Sequence, residues 1–243
     1  MSQNYHDDET INIKVAIIGS CGVGKSSIIN RFIRNEFNEE ITSTVGANYS
    51  KKELKIDNKN VILDIWDTAG QEKFHSMGRH FYKNSHIIII IYDMTNKNTF
   101  EDIKNHWFND ILEHADKYKV IGLVGNKFDL YDTEGVEEIN ENIIKEFIDQ
   151  VKGQQDTELI HMKVSAKTGV NIKSLFQTLT KKYLEKELVN DNLEKAYSFK
   201  IKKDKKKRKR EREGEKKLLC WLIYKLFKIF FGKIFFYLIS LNK

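Results

Sequence analysis

Residues 87–91 are five consecutive isoleucines, followed by Tyr92 and Asp93. A strand turns alternate side chains to opposite faces, so an unbroken β-branched run is comfortable only where both faces are covered. Such strands belong to parallel sheets sandwiched between helices. The chain up to about residue 187 has the matching alternation. Strand patterns fall near 11–18, 49–57, 60–66, 86–92, 120–125 and 158–164, and helical spacing falls near 25–36, 70–82, 100–115, 137–152 and 171–187. The expected fold is α/β, with three layers around a mostly parallel six-stranded sheet. One antiparallel edge strand is expected, because Leu54–Ile56 and Val61–Leu63 flank Asp57–Asn60 as the arms of a hairpin. Ligands of open α/β sheets bind beyond the carboxyl ends of the strands, so the chemistry should follow the strands directly.

It does. Val61–Ile65 runs into Trp66-Asp67-Thr68-Ala69-Gly70-Gln71. An acid at a strand mouth suits a metal, a glycine amide can approach an anion, and a glutamine can orient a water. Gly19-Ser20-Cys21-Gly22-Val23-Gly24-Lys25-Ser26 matches G-x-x-x-x-G-K-[ST] in full, with Ser27 next, between the strand-like Ile13–Ile18 and the helical Ile28–Arg34. Its backbone N–H groups and the following helix N-terminus would cradle phosphates. Lys25 would reach the β- and γ-phosphates, and the Ser26 hydroxyl would meet Mg²⁺. After Val120–Gly125 comes Asn126-Lys127-Phe128-Asp129. The Asp129 carboxylate can accept from N1–H and N2–H of guanine, a donor pair that adenine lacks, which argues against an ATP-using enzyme. Asn126 can bridge to the phosphate loop, and the Lys127 stem can cover one face of the ring. Ser165-Ala166-Lys167 would supply backbone N–H groups for the guanine carbonyl. N-K-x-D alone is a common polar turn; three motifs in this order, each after a strand, are far more specific.

Over roughly Ile11–Glu187 the chain resembles a small GTPase of the Ras superfamily, and within it a Rab, whose form of the third-strand motif is W-D-T-A-G-Q-E as at Trp66–Glu72. The resemblance implies a P-loop G domain over 11–187 that hydrolyses GTP to GDP and phosphate and serves as a switch. It implies Mg²⁺ as cofactor, held by Ser26, Thr44 and, through water, Asp67. It makes Phe37 the aromatic against the guanine, Gly70 the γ-phosphate-sensing amide and Gln71 the residue that positions the attacking water. Tyr49, Trp66 and Phe81 fall where Rabs place an effector-shaping aromatic triad. The implied partners are an exchange factor, a GTPase-activating protein and effectors of vesicle traffic; the implied place is cytoplasmic, peripheral on endomembranes. Thr44–Tyr49 and Phe74–Met77 look closest to the early-endosomal group. Cys21 departs from the small residues common beside the γ-phosphate and puts the response to an activator's arginine in question. A scaffold that holds nucleotide but hardly cycles is the alternative.

Composition adds the surroundings. The two cysteines, Cys21 and Cys220, form no disulfide framework, and residues 1–10 read as a polar, flexible N-terminus without a signal peptide. The formal charge of +6 is uneven: residues 200–217 carry +8 and 218–243 carry +4, leaving −6 for 1–199. Residues 188–217 read as a disordered basic linker, and the tail 200–243 reads as attracted to an anionic membrane surface rather than to nucleic acid. Residues 218–243 are mostly apolar but are interrupted by Lys225, Lys228 and Lys233. Each lysine costs about 2.5–3.5 kcal/mol at a bilayer centre, which cancels much of the gain from the apolar residues. An interfacial helix is therefore favoured over a spanning one, and an artefactual C-terminus is the bland alternative. Cys220 is internal, so the prenylation usual for Rabs is not supported. The G domain is expected to be monomeric.

Overall fold

The computed structural model describes residues 10–39, 44, 47–68, 83–115, 120–130, 139, 141–154, 158–190 and 192, and beyond these 201, 212, 213, 215, 216, 219, 222 and 225. Six strands form one sheet: β1 (Ile11–Ile18), β2 (Ala47–Ile56), β3 (Lys59–Thr68), β4 (Ile87–Asp93), β5 (Val120–Asn126) and β6 (Glu158–Lys163). Their order across the sheet is β2-β3-β1-β4-β5-β6. β2 runs antiparallel to β3, and every other pairing is parallel. This is the expected mostly parallel sheet with an antiparallel edge. The hairpin is tighter than the sequence suggests. Ile56 pairs with Lys59, so the loop is only Asp57 and Asn58, at φ 46° and 65°. Two successive left-handed residues give the turn whose twist suits a two-residue hairpin, and Asp and Asn tolerate that region best among non-glycine residues.

Among the described residues, the helices packed on the sheet are α1 (Lys25–Arg34), α2 (97–114), α3 (Glu141–Gln154) and α4 (172–190). α2 starts three residues before the expected position, where the Asn96 side chain accepts from the Asn98 N–H at 3.1 Å. It also contains a π-helical turn at Ile103–Trp107, which hydrophobic spacing alone cannot reveal. α3 begins at Glu141, later than expected. The helix expected over 70–82 lies outside the described residues.

The isoleucine run explains the layering. Ile87, Ile89 and Ile91 join Ile13, Val15 and Ile17 of β1 and Val120 and Val124 of β5 in a core shared with α1 and α4. Ile88 and Ile90 join Ala16, Ile18, Ile121 and Leu123 in a second core on the opposite face, against α2 and α3. All five isoleucines are at most 1% exposed. Their burial contributes about 8–15 kcal/mol before conformational entropy is counted. α4 lies so close to the sheet that a Cβ on Gly122 would sit 2.8 Å from Leu179 Cδ1.

The chain divides into two compact units, Met1–Lys186 and Glu187–Lys243. In the second, the described residues of the expected disordered linker (188–190, 192, 201, 212, 213, 215 and 216) are helical. Lys, Glu and Arg are good helix formers, and the chain has no proline to break the run. Among the described residues no helix is long and apolar enough to cross a membrane.

Candidate functional site: a cavity at the carboxyl ends of the strands

β1, β3, β4 and β5 are parallel, so Gly19, Thr68, Asp93 and Asn126 emerge on one edge of the sheet. A cavity of about 350 Å³ lies there, lined by the phosphate loop, Phe37, Thr44, Asn126, Lys127, Asp129, Ala166 and Lys167.

The loop's shape follows from two glycines. Gly19 has φ +138°, and a Cβ there would sit 2.3 Å from the Ile91 carbonyl oxygen; Gly24 has φ +94°, and its Cβ would sit 2.3 Å from Asn126 Nδ2. No other residue lets β4 and Asn126 come so close to the loop. Gly24 is also the N-cap of α1 and offers no side-chain cap, so the first-turn N–H groups remain available to an anion. Lys25 is 6% exposed. Its ammonium donates to the carbonyl oxygens of Gly19 at 2.8 Å and Ser20 at 2.9 Å. Burial pushes Lys25 down to about 8, while the charges of Asp67 and Cys21 pull it back up. Val23 is fully buried, Cys21 is exposed, and Cys21, Gly22 and Ser27 line the cavity.

Hard oxygen donors converge beside Lys25. Ser26 Oγ donates to Asp67 Oδ2 at 2.5 Å and lies 2.8 Å from Thr44 Oγ1. Asp67 Oδ1 is buried and has no hydrogen-bond partner among the described residues. Burial raises the Asp67 carboxyl above its usual range; the Ser26 bond and the Lys25 charge oppose that rise. A buried, under-partnered carboxylate next to two hydroxyls fits a small oxygen-seeking divalent cation such as Mg²⁺.

The other end of the cavity is built by Asn126, which is 2% exposed. Its Nδ2 donates to the Val23 carbonyl at 2.8 Å, and its Oδ1 accepts from the Ala166 N–H at 3.1 Å. One side chain thus ties the phosphate loop to the loop after β6. Asp129 accepts from Ser165 Oγ at 2.5 Å. Lys127 sits at φ +64° and pairs with the Asp93 carboxylate at 2.5 Å, which orients its stem along the cavity wall. Phe37 is half-buried and packs on the edge of the α1 core. The expectation for Ser165 needs correction. Its N–H donates to the Val170 carbonyl at 3.1 Å to close the 165–170 turn. Its contribution is instead the hydroxyl that holds Asp129.

The Ras family profile matches residues 14–185. The chain is 37% identical over 174 residues to "Ras-related protein Rab-1" of Theileria annulata, covering 71% of this chain and 74% of that protein. It is 31% identical over 189 residues to "Ypt/Rab-type GTPase ypt71" of Schizosaccharomyces pombe, covering 76% and 88%. The chain belongs to the Rab branch of the Ras family. As a Rab-type small GTPase it hydrolyses GTP and works in membrane traffic.

The Rab-type aromatics are partly visible. Tyr49 faces Trp66 across the β2–β3 ladder, with ring centroids 5.2 Å apart and planes at 57°. Tyr49 is 51% exposed, and its hydroxyl donates to Asp64 at 2.5 Å. Phe81, Gly70 and Gln71 lie outside the described residues. Two residues of this Rab's site carry no motif signal. Arg31 reads as an ordinary basic residue in the last turn of α1, yet its guanidinium reaches the 165–170 turn. Asp93 holds Lys127 and also accepts from the Thr95 N–H and hydroxyl at 2.9 and 2.7 Å. An acid at the mouth of β4, as at the mouth of β3, was the signal available for it.

Proposed function

We propose that this Rab-type chain is a cycling switch that binds GTP and GDP through the cavity described above and recruits effectors of vesicle traffic in its GTP form. The observation that carries the proposal is the bridge by Asn126. It sets a guanine-type end, Asp129 with the 165–167 loop, and a phosphate-type end, Lys25 with Ser26, at two ends of one cavity. In this reading the loop 19–27 and the Gly70 amide bind the phosphates. Asp129 reads N1–H and N2–H of guanine, the Ala166 and Lys167 end of the turn faces its carbonyl, and Phe37 and the Lys127 stem flank the ring. Ser26, Thr44 and, through water, Asp67 hold Mg²⁺, which when bound offsets the negative charge of the β- and γ-phosphates. Gln71 orients the water that attacks the γ-phosphorus in line. Without an activator's arginine the turnover should be slow, on the order of 10⁻⁴ s⁻¹. γ-Phosphate contacts at Thr44 and Gly70 order their segments, and loss of the phosphate releases them.

The test is single-turnover phosphate release. Gln71→Leu should slow hydrolysis strongly while GTP affinity stays nearly unchanged; equal rates would defeat the role of Gln71. The competing reading, a nucleotide-holding scaffold, is favoured only by the exposed thiol of Cys21 in the loop. It prevails if the unsubstituted chain binds GTP but releases no phosphate even with a Rab activator. Residues 200–243 are the membrane-seeking part of this proposal, on an endomembrane, with an early-endosomal one as the specific case. The chain should float with vesicles rich in anionic lipid, and removing 200–243 should abolish flotation.

A further inference from the structure

Arg31 lies on α1, six residues after Lys25, about 9 Å further along the helix axis. Its guanidinium is used as a fork. Nε donates to the Ala166 carbonyl at 2.8 Å, and Nη2 donates to the Lys167 carbonyl at 2.6 Å. Nη1 turns back to the Asn35 carbonyl at 2.9 Å. Asn35 is the left-handed C-cap of α1 (φ 59°), so one side chain closes the helix end and grips the turn. The turn bends through Gly169 at φ +84°, which lies beside the Arg31 stem: a Cβ there would meet Arg31 Cδ at an ordinary contact of 3.6 Å. The two carbonyls belong to Ala166 and Lys167, both of which line the cavity. A peptide unit is planar, so a carbonyl held this way fixes where the next N–H points.

We propose that Arg31 is a positioning residue for base recognition. It locks the 165–170 turn to the helix whose first turn carries Lys25, so that the Lys167 amide, which the gripped Ala166 carbonyl orients, and the phosphate-binding groups share one rigid element. This rests on the guanine reading given above. The fork reaches the two carbonyls from separate nitrogens in one rigid plane, whereas an ammonium has to meet both from a single point at the end of a flexible stem. Lysine is therefore a poor substitute even though it preserves charge and stem.

The experiment uses the full chain loaded with a fluorescent GDP. Release is timed in excess GDP, GDP and ADP are compared as competitors, and the thermal midpoint is recorded. Arg31→Ala should speed GDP release by roughly tenfold or more and narrow the ratio of GDP to ADP affinity. Arg31→Lys should fall between it and the unsubstituted chain, and it carries the test if Arg31→Ala does not fold. Release and ratio unchanged in Arg31→Lys and Arg31→Ala would overturn the role. So would a lower thermal midpoint with GDP and ADP weakened equally, because that pattern is support of the fold alone. If the unsubstituted chain itself shows no preference for GDP over ADP, the guanine reading fails first, and that failure is recognised without any substitution.

Discussion

Asn126→Ala tests most directly whether one buried amide joins the two ends of the cavity proposed to hold the nucleotide. The substitution removes the 2.8 Å bond to the Val23 carbonyl and the 3.1 Å bond from the Ala166 N–H. Both groups are interior to the loops they belong to, and an unpaired buried polar group costs about 1–3 kcal/mol. The two together set a range of about 2–6 kcal/mol, and the lower half applies because the cavity admits water to part of the wound. A loss of about 3 kcal/mol is a factor of roughly 10² in an equilibrium constant. Most changes in affinity at one site appear in the off-rate, so release of fluorescent GDP in excess unlabelled GDP should accelerate about a hundredfold. Asn126→Asp is the informative control. It retains the acceptor for Ala166 but sets a carboxylate oxygen against the Val23 carbonyl, so it should be no better than Asn126→Ala. Release within about threefold of the unsubstituted rate in Asn126→Ala would refute the bridge as the element that unites the site.

Two further outcomes follow from the structure. Asp129→Asn should weaken GDP and shift preference toward xanthine nucleotides, since an amide can donate to the xanthine 2-oxo group where a carboxylate cannot; competition binding with both nucleotides checks it, and a retained guanine preference would remove Asp129 from base recognition. His161 supplies a pH dependence. Burial, helped by the charge of Lys163, lowers it from 6.5 to about 4, and its Nε2 lies 2.9 Å from the Tyr92 hydroxyl. The unfolded chain then binds a proton that the folded chain refuses, so stability present above pH 6.5 is lost as pH falls toward 4. The loss is about 3 kcal/mol. Urea midpoints measured across that window should fall less steeply in His161→Gln, and identical slopes would count against the assignment.

The layers were legible before any coordinate because periodicity is local. Five isoleucines in a row have few uses other than a doubly covered strand, and the structure divides them between two cores as their alternation requires. The phosphate loop and the Asn126–Asp129 motif were legible for a related reason: each packs several functional groups into a few consecutive residues. The hairpin was read in outline but one step too loosely, because the left-handed pair Asp57–Asn58 is set by the twist of the strands it joins. The π-helical turn in α2 and the late start of α3 were not readable, since both depend on packing rather than spacing.

By itself, then, the amino-acid sequence determined the class of fold, the motifs and their order, because these depend on side-chain period and on chemistry carried within single turns. A bridge from Asn126 to the phosphate loop was expected from the motif, but only the tertiary structure decided its partner atoms and the other long-range meetings. It brought Ser26 to Asp67, Asn126 to both Val23 and Ala166, and Asp93 to Lys127. It gave Ser165 a different task from the one its position suggested, and it turned Arg31 from a helix-end charge into a clamp on the turn that would face the base. Those pairings are separated by up to 136 residues. They arise because parallel strands deliver their carboxyl ends to one edge, a geometric fact that no local pattern of residues contains.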